Sequence, residues 1–252
     1  LTIRTGNLLM PVGPLNEFHE PPLFYSVERP ATMNSIIPTT WQENGVGVVG
    51  RAFDDRLSYR TYIVTGLDAE KFTTMDGVRK GRSHGAESKA DDLAWTGRLE
   101  YGPLPGLALG GSFYTGGADQ DYGELGSVRV DILEVDARYR WSGFDFRGLY
   151  ARVNLTNADE VSTVTGSTIG EGSEGWYLEA AYNILPCLLT KATQRLVIYG
   201  RHEEIDTTKD APSGFDRVGA ADRSIWSFGI AFYPLDEVVI KEVQLTKDRT
   251  TL

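Results

Sequence analysis

The sequence predicts an all-β chain built as an antiparallel transmembrane β-barrel, of which about eleven strands are visible. Three observations predict it. Segments of period-two alternation recur along the whole 252 residues. The connections between them alternate strictly between long and short. Within the segments, aromatic and aliphatic side chains share one face and charged side chains the other.

The segments lie near 1–12, 43–54, 57–67, 93–103, 106–116, 128–141, 144–155, 174–185, 194–205, 223–234 and 237–247. Residues 13–42, 68–92, 117–127, 156–173 and 206–222 form the long connections. The short ones are 55–56, 104–105, 142–143, 186–193 and 235–236. Outer-membrane barrels have this asymmetry, with short periplasmic turns and longer extracellular loops. A soluble β-sandwich has no reason for it, and its strands usually run five or six residues rather than about ten.

Individual strands carry the two-faced pattern. In LAWTGRLEYGP, Leu93, Trp95, Leu99 and Tyr101 fall on one face, with Thr96, Arg98 and Glu100 on the other. In GWYLEAAYNIL, Trp176, Leu178, Ala180, Tyr182 and Ile184 oppose Tyr177, Glu179 and Asn183. A two-residue Ser142-Gly143 turn would pair Trp141 with Phe144, Tyr139 with Phe146, Arg140 with Asp145 and Arg138 with Arg147. That register keeps the aromatics together and the charges together, and a slip of one residue destroys it. Apolar outside and charged inside suits lipid outside and water inside.

Composition excludes more than it identifies. A hydrophobic content of 41% and a mean hydropathy of −0.26 resemble an ordinary soluble protein. There is no apolar run of about eighteen residues for a transmembrane helix. A net charge of −10 argues against nucleic-acid binding, which needs basic stripes. The lone Cys187 excludes an internal disulfide. Leu1 opens into a strand-like segment without the basic and apolar regions of a signal peptide, so the chain reads as mature or as part of something longer.

The stretch NEFHEPPLFYSVERPATMNSIIPTTW (16–41) has no strand or helix period, yet it is too aromatic to be disordered. A structureless loop of this length is usually functional. Its blocks HEPPLFYSVERP and IIPTTW, with weaker support from LVIYGRHEEID and SFGIAFYPLDEVVIKEVQ, resemble outer-membrane porins related to the phosphate-selective porin O/P group. The resemblance covers about a third of the chain. It implies a homotrimeric, water-filled barrel of about sixteen strands in a Gram-negative outer membrane, in contact with lipid and lipopolysaccharide.

Two departures follow. An odd strand count and a last strand ending KDRTTL predict a fragment of a single barrel domain, incomplete at both ends, since bacterial barrels are even-stranded. The expected pore lining is also balanced in sign: Arg60, Arg98, Arg138, Arg140, Arg147 and Arg201 face Glu100, Glu134, Asp136, Asp145, Glu179 and Glu203. A phosphate-selective pore wants a ladder of cations instead.

The expectation is a diffusion channel for small hydrophilic solutes and ions, with no enzyme activity and no cofactor or metal. A substrate-specific channel of anion or phosphate type and a structural or scaffold barrel are the alternatives. Residues 14–42 are expected to fold inward as a constriction, with Glu17, His19, Glu20, Glu28 and Arg29 at the pore. Its glutamates would face Arg98, Arg138, Arg147 and Arg201 and tip the pore towards weak cation preference. His19-Glu20 lacks a second histidine at helical spacing for a metal site, and Pro21-Pro22 forbids a helix there. His84 reads as solvated, and His202 lacks the partners for a Ser-His pair. Glu203 and Glu204 point to opposite faces, and GEGSEG at 170–175 reads as a flexible loop tip. The clear aromatics point outward, so an internal aromatic slide for sugars is not expected, and no plug domain is visible.

Overall fold

The computed structural model describes residues 1–18, 20–121, 123, 125–189 and 193–250, the last eight of these by their backbone. Eleven strands form one antiparallel sheet in chain order: β1 (Thr2–Leu9), β2 (Gln42–Ala52), β3 (Leu57–Thr65), β4 (Leu93–Leu104), β5 (Leu107–Gly117), β6 (Arg129–Trp141), β7 (Phe144–Leu155), β8 (Gly172–Asn183), β9 (Arg195–Asp210), β10 (Asp222–Leu235) and β11 (Val238–Thr250). Among the described residues β1 pairs only with β2 and β11 only with β10. The sheet therefore has two open edges.

The turns obey local chemistry. At 142–143 the register is Trp141 with Phe144, Tyr139 with Phe146, Arg140 with Asp145 and Arg138 with Arg147, as the alternation predicts. Ser142 and Gly143 both take positive φ, 49° and 86°, as the two-residue hairpin turn that follows strand twist requires. Two short helices interrupt the connections: α1 (Ala158–Thr165) and α2 (Leu185–Leu188).

One face of the sheet carries the connection between β1 and β2, and we call it the inner face. Strand parity puts Arg98, Tyr114, Glu134, Arg147, Tyr177 and Arg201 there, all in contact with or beneath that segment or its neighbours. The outer face presents large apolar groups to solvent: Trp95 is 55% exposed, Leu99 57% and Leu178 62%, with Tyr139 and Phe146 beside them. This inverts the usual economy of a soluble protein, where a contiguous apolar patch of this extent is avoided.

The core lies on the inner face towards the long connections. Met10, Val12, Met33, Ile36, Ile37 and Trp41 are fully buried against Tyr62, Val64, Val130, Ile132, Leu149 and Val153 of the wall. Tyr62, Tyr114, Tyr177, Tyr199 and Tyr233 point inward and are buried, but Trp95, Tyr101, Tyr139, Trp141, Phe144, Phe146, Tyr150, Trp226 and Phe228 are exposed on the outer face, so the strand aromatics mostly face out, as expected. One expectation changes here. GEGSEG is no loose tip: β8 begins at Gly172, and a side chain at Gly175 would collide with Ile36 and Ile205. Gly175 admits the loop to the wall.

Candidate functional site

The segment joining β1 to β2 crosses the inner face and is tied down along its length. At its neck, Asn16 Nδ2 donates to the carbonyls of Met10 (2.7 Å) and Trp41 (3.0 Å), while Trp41 N donates to Asn16 Oδ1 (2.9 Å). Trp41 Nε1 then reaches the buried carboxylate of Glu43 (3.1 Å), which Thr65 and Ser83 also bond. One amide and one carboxylate thus close the loop's base.

Further along, prolines shape the chain. Pro21 and Pro22 open a single 3₁₀ turn, Pro21–Leu23. The pair was expected to forbid a helix. Proline fits a first turn because its missing N–H has no intrahelical partner there. A second, wider turn covers Thr32–Ile36.

The wall holds the loop mostly through backbone carbonyls. Arg147 Nη1 donates to Leu23 O (2.7 Å), Lys241 Nζ to Ser26 O (3.0 Å) and Tyr233 OH to Pro22 O (3.3 Å). Tyr25 OH donates to Asp145 Oδ2 (2.7 Å), and burial pushes that phenol well above its usual range. Arg201 Nη1 donates to Ser26 Oγ (2.7 Å), and Thr32 N to Glu203 Oε2 (3.3 Å). The guanidinium of Arg147 and the ammonium of Lys241 also sit over the rings of Tyr25 and Phe24, an attraction that strengthens away from water.

The wall charges form two chains of alternating sign. In the first, Glu17 pairs with Arg60, Arg60 with Glu100, and Glu100 with Arg98 (3.0 Å). Arg98 continues to Glu134 (3.1 Å) and Asp136 (2.6 Å). In the second, Arg138 and Arg147 share Asp145 (2.6 and 2.8 Å), and Arg147 approaches Glu179 (3.6 Å). Glu179 meets Arg201 (3.3 Å), which bonds Glu203 (2.8 Å). Every expected lining residue except Arg140 is in one of these chains.

Their surroundings differ from expectation. Arg98, Glu134, Asp145, Glu179, Arg201 and Glu203 are buried beneath the loop and are held by ion pairs within these chains instead of facing open water. Arg60, Glu100, Asp136, Arg138 and Arg147 are half-buried, and Arg140 is exposed beside the 142–143 turn. Pairing keeps buried charges tolerable, because a carboxylate stripped of water and of partners costs several kcal/mol.

The loop charges divide. Glu17 meets Arg60 and Arg4 rather than Arg98, Arg138, Arg147 or Arg201, because β3 lies nearest the loop's neck. Burial raises its carboxyl above the ordinary value. Its charge is spent on these arginines, which weakens the ground for a cation preference. Glu20 lines a cavity of about 400 Å³ shared with Asp136, Arg138 and Arg147. Glu28 and Arg29 line a second of about 900 Å³ with Arg201, Glu203 and Arg223. His19 lies outside the described residues.

Other residues singled out by sequence are quiet. His84 is exposed, and Cys187 is exposed beside the Tyr182 hydroxyl (3.5 Å). His202 is on the outer face, stacked on Trp226 with ring centres 4.2 Å apart. No group of three His, Cys, Asp or Glu side chains among the described residues is placed to hold a metal. Sequence reading missed Asn16, Ser26, Tyr25 as a hydrogen-bond donor, Tyr233 and Lys241. The carbonyls that most of them serve have no signature in a sequence.

No protein-family model matches the chain. An uncharacterized protein of Aquifex aeolicus (strain VF5) is 34% identical over 258 residues, covering 98% of this chain. The chain spans 58% of the length of that curated relative. Among solved structures, a BenF-like porin from Pseudomonas fluorescens Pf-5 aligns with a TM-score of 0.39 at 11% identity, covering 98% of this chain and 68% of that one. Pseudomonas aeruginosa OccK1 (OpdK) aligns with a TM-score of 0.38 at 10% identity, covering 98% and 72%.

Proposed function

We propose that this chain forms wall and constriction of an outer-membrane channel through which small hydrophilic solutes diffuse passively. The observation that carries the reading is the opposition of the two faces of one sheet. The outer face is apolar and exposed, while the inner face carries charge and the loop. On β6 the outward residues from Leu133 to Trp141 span eight steps, about 26 Å along a strand. At a tilt of about 40° this is about 20 Å of membrane thickness, near the apolar band of known barrels. Trp141, Phe144 and Tyr182 at one end, and Trp95, Tyr150 and Trp176 at the other, supply aromatic girdles of the kind that sit at membrane interfaces.

Lipid tolerates no open edge, since unpaired backbone groups there cost several kcal/mol each. We therefore infer that β1 and β11 are paired in the functional barrel, by further strands of a single barrel domain, and that assembly as a homotrimer in contact with lipid and lipopolysaccharide completes it. The residues 10–41 narrow the interior. Their fixed prolines and their ties to β3, β7, β9, β10 and β11 support a static constriction, not a mobile lid.

Single-channel recording of the full-length protein in planar bilayers tests the reading. Discrete, ohmic steps are expected. A second reading, a scaffold barrel with a plugged interior, is favoured by the apolar core between the loop and the wall. Correctly folded protein that inserts but conducts no current would select it.

A further inference from the structure

Of the five short connections in the sheet, four are two residues long or mainly charged. Phe53-Asp54-Asp55-Arg56 joins β2 to β3, Pro105-Gly106 joins β4 to β5, Ser142-Gly143 joins β6 to β7, and Asp236-Glu237 joins β10 to β11. The connection after β8 instead opens with the apolar run ILPCLL, residues 184–189. This run is firmly folded. Pro186 falls in the first turn of α2, where its missing N–H has no partner to lose. Leu189 N donates to Leu185 O and Ile184 N to Leu196 O, both at 2.8 Å. Asn183 Oδ1 accepts from the amides of Leu185 (3.3 Å) and Leu196 (3.1 Å). The fold buries Leu185 but leaves Leu188 65% and Leu189 59% exposed.

The exposed leucines continue the outer face of the sheet. Cys187 Sγ lies 3.5 Å from the Tyr182 hydroxyl. Tyr182 packs on Phe144 with ring centres 4.4 Å apart, and Phe144 on Phe146 at 5.6 Å. All three rings have the outward parity of their strands. The two ends of that face differ. Towards the long loops the outward positions turn ionic, at Asp131, Arg152, Glu174 and Glu204. Towards the short turns the outward residues of β6 to β9 are Trp141, Phe144, Tyr182 and Ile198, without a charge among them. Single exposed leucines are ordinary on a water-facing surface. A pair contiguous with a wide apolar face marks an interaction site.

Resting on the reading of the chain as a channel wall, we infer that residues 184–189 are a membrane anchor whose partner is the lipid leaflet on the short-turn side. Leu188 and Leu189 enter the boundary between headgroups and acyl chains, as the apolar face of an interfacial helix does. Tyr182 beside them sits at headgroup level. The anchor fixes the depth of the wall at the end where no charged rim does.

The test uses the native thiol. Full-length protein is labelled at Cys187 with an environment-sensitive fluorophore, with Cys187→Ser as the blank, and reconstituted in phosphatidylcholine vesicles holding iodide on both sides. The emission should be shifted to the blue of the free dye in water, quenched by lipid carrying a nitroxide near its headgroup and spared by iodide. Leu188→Asp with Leu189→Asp should shift it to the red and open the label to iodide. Both side chains are already exposed, so the pair should leave folding intact. A reference label at Val135→Cys in the Cys187→Ser background reports the outer face itself, where Val135 is 51% exposed; it should be quenched by a nitroxide in mid-chain. A Cys187 label that iodide quenches in the native sequence, or that the double substitution leaves unmoved, would overturn the inference, and the channel reading would stand as long as the Val135 label remains in lipid. Iodide quenching at both sites would overturn the channel reading as well.

Discussion

The two ends of the inner face use the same strands for opposite chemistry. On β6, Arg138, Asp136 and Glu134 rise from the short turn, and Ile132 and Val130 continue in the same inward parity. On β7, Asp145 and Arg147 give way to Leu149, Ala151, Val153 and Leu155. Near the short turns the wall is held by ion pairs; near the long loops it is packed like a soluble core. The difference follows from what lies opposite. Where loop carbonyls and the Tyr25 hydroxyl approach, the wall offers charge. Where Met33, Ile36 and Trp41 approach, it offers methyl groups. An inward position on a strand of this sheet is therefore not by itself a water-facing position.

The charged end breaks hardest. Arg98 is 3% exposed and bonds Glu100, Glu134 and Asp136. Arg98→Leu takes the cation from Glu134 and Asp136, leaves Glu100 with Arg60, and should cost about 3–5 kcal/mol, read as a lowered urea midpoint of the protein refolded in micelles. At the apolar end, Trp41→Ala removes a side chain with no exposed surface. Its cost should be similar or slightly smaller, about 3–5 kcal/mol, and it should free the loop base, seen as faster proteolysis between residues 10 and 41.

The outer face sharpens the contrast, since it faces neither charge nor core. Leu178→Arg should cost about 2–4 kcal/mol if the site is near the midplane, measured by folding into lipid vesicles. Stability unaffected by this change would mean the face does not meet lipid. Trimming the core gently, Ile132→Val should cost about 0.5–1.5 kcal/mol. At the exposed rim, Arg140→Gln should shift stability by less than about 0.5 kcal/mol, although it shares parity with Arg138.

Much of the sheet was legible in the sequence because parity and register are local facts. The pairing of Trp141 with Phe144 across Ser142-Gly143 could be read from two adjacent segments. The prolines and aromatics of the opening loop point to an ordered segment, and it packs on the charged face of the sheet. Its partners were not legible. Glu17 could be given a negative charge but not the neighbour Arg60, which lies on a strand 43 residues away in sequence. The anchors at Leu23, Pro22 and Ser26 are carbonyl oxygens, common to all residues. Parity alone put Tyr177 on the charged face beside Glu179; the other inward tyrosines carry no such local signal, because the depth at which a loop covers a wall has no period.

The central claim is that residues 10–41 narrow a conducting path. Val27 is 59% exposed on the cavity side of that segment, and Cys187 is the one native thiol in the sequence. The direct measurement is single-channel conductance of full-length Val27→Cys in a Cys187→Ser background, before and after a charged, membrane-impermeant thiol reagent. A stepwise fall in conductance on modification, absent from Cys187→Ser alone, is the predicted result. Steps of unchanged size after complete modification would contradict the account.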